Sequence, residues 1–231
     1  MLTMDLPKID TSNLWDKTYT ILKEKIIHRE FQANQKLYIP ELSQQLGVSR
    51  TPIRDALNRL EMDGLVKTVS KVGTFVNAIE AEDVMDIMDT RLMLEFWVVD
   101  KLGAVPPDEL PVKLQGMEQV VAQSLQELET LPLDEYLQRD YNLAFHLEFM
   151  KLGGNAKNIG IYKNLMNYRF LAAKNSLISK EMVVSAINQH QRIIEAIKTG
   201  DVGRMKEVIR KHLEDSRTGL IEKINRNGGV I

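Results

Sequence analysis

From residue 80 onward apolar residues recur at helical spacing, and the pattern breaks at Pro106-Pro107, Pro132, Gly153-Gly154 and Gly200. Between the breaks the spacing predicts helices over roughly 81–103, 107–129, 132–152, 155–178, 181–198 and 201–225. No period-two alternation is interleaved with them, so these segments must bury their apolar faces helix against helix. An all-α antiparallel helical bundle is the fold this predicts for most of the chain.

The first 78 residues read differently. "LWDKTYTILKEKIIHR", 14–29, carries one helical stripe through Leu14, Tyr19, Leu22 and Ile26. "ELSQQLGVSRTPIRDALNRLEMDGLV", 41–66, holds two short helical patterns broken at Gly47. "LVKTVSKVGTFV" then reads as a strand, a turn over Ser70 to Gly73 and a second strand, the one convincing β signal in the chain. The boundary should be tight, near Asn77 to Glu82, giving domains 1–78 and 79–231 and a mainly α fold class.

Composition narrows the function classes. A chain of 231 residues, 44% hydrophobic and 27% charged, can bury one large core or two modest ones. It has no cysteine, which excludes disulfides and thiolate metal sites. "MLTMDLPKIDTSN" lacks the layout of a signal peptide and no run approaches a membrane span, so the expectation is a cytoplasmic protein with no membrane partner. Residues 1–78 hold 11 Lys+Arg against 9 Asp+Glu, or +2, which leaves 19 against 23, or −4, for the rest. That asymmetry permits nucleic-acid binding without requiring it.

The 41–66 stretch has the layout of a helix-turn-helix. Gly47 supplies the turn, Ser49 stands where a cap would, and Pro52 falls in the first turn of the second helix. Ile53, Ala56, Leu57 and Leu60 form its apolar stripe, while Ser49, Arg50, Thr51 and Arg54 gather at the N-terminal end of the other face. A recognition helix enters the major groove in that way, with arginine reading guanine edges. The hairpin would be the wing, with Lys71 at its tip. An ordinary helical hairpin with a solvated basic face is the alternative.

"LSQQLGVSRTPIRDALNRLEMDGLV" followed by "KVGTFV" resembles the winged helix-turn-helix of the GntR family of bacterial transcription regulators, over about residues 12–77. The resemblance implies binding of double-stranded operator DNA by Ser49, Arg50, Thr51 and Arg54, with wing contacts from Lys71 and Gly73. The chain departs from the family at Pro40 and Glu41, where several members carry an arginine; Lys36 is the nearby candidate to replace that contact.

Two of the chain's four histidines, His190 and His212, flank Gly200-Asp201 almost symmetrically. Glycine suits a helix C-terminus and aspartate an N-cap, so the chain should reverse there into antiparallel helices. At ~1.5 Å rise per residue both histidines then stand roughly 15–17 Å from the turn, level with each other. His146 is the third histidine of this region; His28, in the N-terminal part, is not grouped with them. Three convergent imidazoles in a helical bundle suit a divalent metal such as Zn, Ni, Mn, Fe or Cu. A histidine on a helix is more often a hydrogen-bonded core or surface residue, and that reading stays beside this one.

Residues 82–220, including "LAFHLEFMKLGGN" and "HQRIIEAIKTGDVGRMKEVIRKHL", resemble the FCD ligand-binding domain of the FadR-type subfamily. In its metal-binding members an Asp four residues before the first His joins three His around the ion; His146, His190 and His212 match those positions. Asn142 stands where that Asp would be. Three imidazoles and an amide would leave a divalent site at about +2 rather than about +1, more dependent on an anionic ligand. The effector this implies is a small organic acid, such as a hydroxy acid, a sugar acid or an amino acid. Arg91 matches a position that contributes to such pockets, and an i, i+4 ion pair with Glu95 is its plain alternative. Asn164, Tyr168 and Arg169 are expected to line the same cavity.

The expectation is therefore a repressor-type transcription regulator, nucleoid-associated through DNA, whose operator binding is controlled by a carboxylate-bearing metabolite. It should be a homodimer on a palindromic site, because one recognition helix contacts too few bases. The alternative is a metal-dependent hydrolytic enzyme using the three-His site.

Overall fold

The structure, a computed structural model, describes residues 12–27, 30–172 and 178–226, with side chains at 12–13 and 167–172 left out; His28 lies outside the described residues. Among these the chain forms eleven helices and one three-stranded sheet, and it divides into two compact units, Met1–Ala78 and Ile79–Ile231.

The first unit runs α1 (Ser12–Ile27), β1 (Lys36–Leu37), α2 (Ile39–Leu46), α3 (Arg50–Met62), β2 (Val66–Val69) and β3 (Gly73–Val76). Leu22 and Ile26 of α1 are buried, as are Ile53, Ala56, Leu57 and Leu60 of α3, and the two helices pack together. Gly47 ends α2 at φ +64, a left-handed conformation that costs other residues more, and its N–H turns back to the Gln44 and Ser43 carbonyls. Ser49 occupies the N-cap position of α3, yet its hydroxyl makes no capping bond among the described residues. The expected cap is corrected for a reason visible in the sequence. A cap side chain accepts from the N2 or N3 amide, and N3 here is Pro52, which has no N–H.

The wing is the antiparallel hairpin β2–β3, with Val66 opposite Val76 and Val69 opposite Gly73. Lys71 at its tip adopts φ +62. Gly73 has φ +141, a backbone conformation that side-chain-bearing residues rarely adopt, so glycine is needed for the turn; the Lys36 side chain lies over it. One strand was not expected: β1 pairs with β3, Lys36 opposite Phe75, and makes the sheet order β1-β3-β2. Two residues are too few to show alternation.

The second unit is helical among the described residues: α4 (Ala81–Leu102), α5 (Leu110–Lys113), α6 (Gln115–Thr130), α7 (Leu133–Gln138), α8 (Tyr141–Lys151), α9 (Ala156–Ala172), α10 (Lys180–Lys198) and α11 (Val202–Arg226). α4 packs against α8, α9 and α11. Two expected helices are divided. Proline is tolerated in a first turn and not in an interior, so Pro111 begins α5 and prevents a helix running from 107 to 129. Asp140 adopts φ +52 and accepts from the Leu143 N–H at 3.2 Å, which ends the α7 segment and starts α8 in a new phase. The expected end of α9 near 178 falls on residues 173–177, outside those described.

A charged pair lies in the core of this unit. Arg91 and Glu95 of α4 are both 0% exposed, and Arg91 Nη2 donates to Glu95 Oε1 at 3.1 Å. Tyr162 of α9 completes the triangle: its hydroxyl accepts from Arg91 Nε at 3.0 Å and donates to the same Glu95 oxygen at 2.6 Å. Burial pushes the Tyr162 phenol well above its ordinary range, so it remains the protonated donor.

Replacing Ile53, which is fully buried, by alanine is expected to destabilise the N-terminal unit by about 2–5 kcal/mol in urea denaturation followed by circular dichroism. Arg91→Met should cost the helical unit about 3–5 kcal/mol because Glu95 is left buried without its cation. The double change Arg91→Met with Glu95→Leu should recover most of that loss, and a double variant as unstable as the single would refute this account.

Candidate functional site

Two surfaces carry chemistry. On the first unit, Ser49, Arg50, Thr51 and Arg54 are all exposed at the N-terminal end of α3, on the face opposite its buried stripe. Asn58, one turn beyond Arg54 and also exposed, extends that face and was not anticipated. Lys71 is exposed at the wing tip, and Lys67 is exposed on β2. Gly73 needs no contact with a partner to explain it, given its backbone conformation. Lys36 itself lies over the rings of Tyr38 and Phe75, with Nζ 5.1 and 6.0 Å from their centroids. Arg59 belongs to the scaffold: its guanidinium lies 4.1 Å from the Tyr19 ring centroid and donates to Asp16 at 2.8 Å. The face so formed presents two forked guanidinium groups and small hydroxyls at a helix N-terminus, the donor set that reads major-groove edges and phosphates.

In the second unit the turn at Gly200 (φ +71) and Asp201, whose carboxylate caps the Arg204 N–H at 3.0 Å, reverses the chain between α10 and α11. His190 and His212 consequently stand level, their ring centroids 5.3 Å apart, and His146 of α8 lies 5.2 and 5.1 Å from them. All three are buried, and their ligand atoms fall within 4.8 Å of one another. The Phe145 ring stacks on His190 at 3.9 Å and holds it in place.

Hydrogen-bond partners set the tautomers. Gln189 Oε1 lies 2.7 Å from His212 Nδ1, and an amide oxygen can only accept, so that nitrogen carries the proton and Nε2 is bare. Arg91 Nη2, an obligatory donor, lies 3.2 Å from His146 Nε2, so that nitrogen is an acceptor too. His146 Nε2 and His212 Nε2 are 3.1 Å apart. Buried imidazoles converging this closely are a donor set that can hold a divalent ion at ~2.0–2.1 Å.

Asn142 lies one turn before His146 on α8, and its Oδ1 is buried with no hydrogen-bond partner among the described residues. A buried carbonyl oxygen in that state is an acceptor that an ion or a water molecule could satisfy. Asp140 is used as the helix cap. Gln189 was missed in the sequence, and Glu95 was read only as the ion-pair partner of Arg91: Gln189 orients His212, and Glu95 Oε1 also stands 3.6 Å from His146 Nδ1.

A cavity of about 510 Å³ opens on His190, His212 and Asn142 and continues between α6, α7, α10 and α11. Arg91 is not among its lining residues; it is held by Glu95 and Tyr162 and reaches His146. Asn164 is exposed on α9 and is likewise not a lining residue. The side chains of Tyr168 and Arg169 lie outside the described residues.

Comparisons with known proteins agree with both halves. Residues 14–76 match the family model described as bacterial regulatory proteins, gntR family, and residues 86–215 match the FCD domain. The HTH-type transcriptional repressor GlaR of Escherichia coli (strain K12) is 28% identical over 202 residues, covering 84% of this chain and 90% of its own. The gluconate operon transcriptional repressor of Bacillus licheniformis is 25% identical over 208 residues, covering 88% and 83%. Among solved structures, E. coli McbR/YncC shares the fold with a TM-score of 0.71 at 19% identity, over 91% of this chain and 98% of that one. These relatives are transcription regulators and not enzymes, which sets aside the hydrolytic alternative. Among the described residues no helix is long and apolar enough to cross a membrane. With an exposed recognition face on one unit and a histidine-lined cavity in the other, the chain belongs to the GntR family of DNA-binding transcription regulators and carries an FCD domain.

Proposed function

We propose that operator binding by this regulator is controlled by a carboxylate-bearing metabolite held at a divalent metal in the FCD cavity. The observation that carries the reading is the convergence of His146, His190 and His212, all buried with ligand atoms within 4.8 Å of one another, beside a cavity large enough for a small molecule. His146, His190 and His212 would hold the ion with Asn142 Oδ1, and zinc suits such a nitrogen-rich set best. Bound there, the metal supplies a Lewis-acidic position for a carboxylate. Gln189 keeps the His212 ring oriented and Phe145 keeps that of His190. The name of the B. licheniformis relative, a gluconate operon repressor, supports an organic acid as effector.

On the DNA side, Arg50 and Arg54 read base edges, Ser49 and Thr51 meet phosphates or bases, and Lys71 with the Gly73 turn contacts the flanking backbone. Two copies of this chain acting on a palindromic operator would give the specificity that one helix cannot. The effector acts through its differential affinity for conformations that do and do not hold DNA. α4, which begins at Ala81 soon after the boundary, carries Arg91 and Glu95 of the network behind the histidines.

Selection from a random duplex library should yield a palindromic operator whose affinity falls steeply with salt. Arg54→Ala should weaken that operator by about 1–3 kcal/mol, roughly 10- to 100-fold, in fluorescence anisotropy, with the metal content unchanged. For the metal, Asn142→Asp should raise retention under a chelator in elemental analysis, because a carboxylate lowers the charge of the site. Equal retention would mean that Asn142 is not a ligand or that charge does not limit affinity.

A further inference from the structure

The cavity wall is selective in a way the histidines are not. Away from the histidines Val120, Val121, Leu137, Val183, Ile187 and Leu220 give it a continuous apolar part, with polar side chains interspersed. Most of the polar side chains on it already have protein partners. Ser124 Oγ and Tyr136 OH bond each other at 2.6 Å, and Tyr141 bonds Glu127. Asp140 caps α8, Gln189 holds His212, Asp215 pairs with Lys211 at 2.8 Å, and Lys223 likewise has a partner. Besides Asn142, this leaves the hydroxyls of Ser185 and Ser216. A polyhydroxylated ligand of this length would set many of its hydroxyl groups against the apolar part of the wall, and each one left unmatched lowers affinity.

The shape of the cavity points the same way. At about 510 Å³ it exceeds what a two- or three-carbon acid fills and lies within the ~300–1,000 Å³ typical of small-molecule sites. Along α11 its lining runs from His212 to Lys223, away from the Gly200 turn, a distance of roughly 16 Å at the helical rise. Gly219 lies on this stretch in the interior of α11, where glycine is the poorest ordinary helix former. No neighbouring atom among the described residues comes within 4 Å of where its Cβ would be, so packing does not require a glycine there. Its effect is to leave room in the cavity.

Resting on the carboxylate-effector reading above, we infer that the effector is an amphipathic monocarboxylic acid, with its carboxylate at the histidines and an alkyl or aryl body along α10 and α11. Sugar acids are disfavoured by the same wall.

Isothermal titration calorimetry of the full-length protein as purified, with octanoate and with gluconate, tests this. Octanoate should bind at least tenfold more tightly, with the negative heat-capacity change of apolar burial. Gluconate binding equally or more tightly would overturn the amphipathic class while leaving a carboxylate effector standing; binding of neither acid would overturn both readings. Gly219→Leu separates the cavity from adsorption elsewhere. Leucine is the better helix former, so thermal stability should hold or rise, while octanoate affinity should fall at least tenfold as the side chain fills the space. Unchanged octanoate affinity in that variant would overturn the proposal.

Discussion

A guanidinium and a carboxylate with no exposure to water need polar neighbours on every side, and the helical unit is arranged around that requirement. Arg91 and Glu95 sit one turn apart on α4, but α4 alone cannot satisfy them. Tyr162 arrives from α9 and His146 from α8, so one charged pair ties three helices together. The arrangement is not complete: Glu95 Oε2 is buried without a hydrogen-bond partner among the described residues. A core with this much buried polarity is specific in its packing, since any slip of α4 against α8 or α9 would strand a charge.

The same network reaches the histidine cluster. The His146 Nε2 lone pair can accept the Arg91 N–H or bind an ion, not both, so an ion bound at that nitrogen would displace the guanidinium from it. Arg91 would then be tied to the proposed ligand through competition and not through contact with the cavity, from which it is absent. Its two readings in the sequence, pocket residue or ion-pair partner of Glu95, are both partly right: the ion pair holds it, and the remaining N–H reaches the first histidine.

What could be read from the sequence was whatever depends on local chemistry. Gly47, Gly200 and Asp201 carry their turn and cap functions in their own backbones and side chains, and the level pairing of His190 with His212 follows from counting residues away from that turn. The exposed Arg50 and Arg54 follow from the buried stripe opposite them. Features that depend on a distant partner were not legible. Gln189 matters because His212 comes back to it from 23 residues away, and Glu95 because His146 does so from 51. The breaks at Pro111 and Asp140 are a different kind of miss, since both residues were visible and helical periodicity outweighed them. The absent cap at Ser49 is similar: the motif suggested a bond for which Pro52 lacks the hydrogen.

The short strand β1 affects how the first unit meets DNA. A bare hairpin is attached at its base alone and can rock as a lever. Here β3 is flanked on both sides, and its second neighbour comes from the segment leading directly into α2. Asn34 and Val76 add further backbone bonds across that seam. Bending the wing would therefore mean breaking a ladder anchored in the helix-turn-helix itself. Wing tip and α3 are thereby held as one rigid tool, and in the proposed mode of DNA binding their separation would be set before any groove is met.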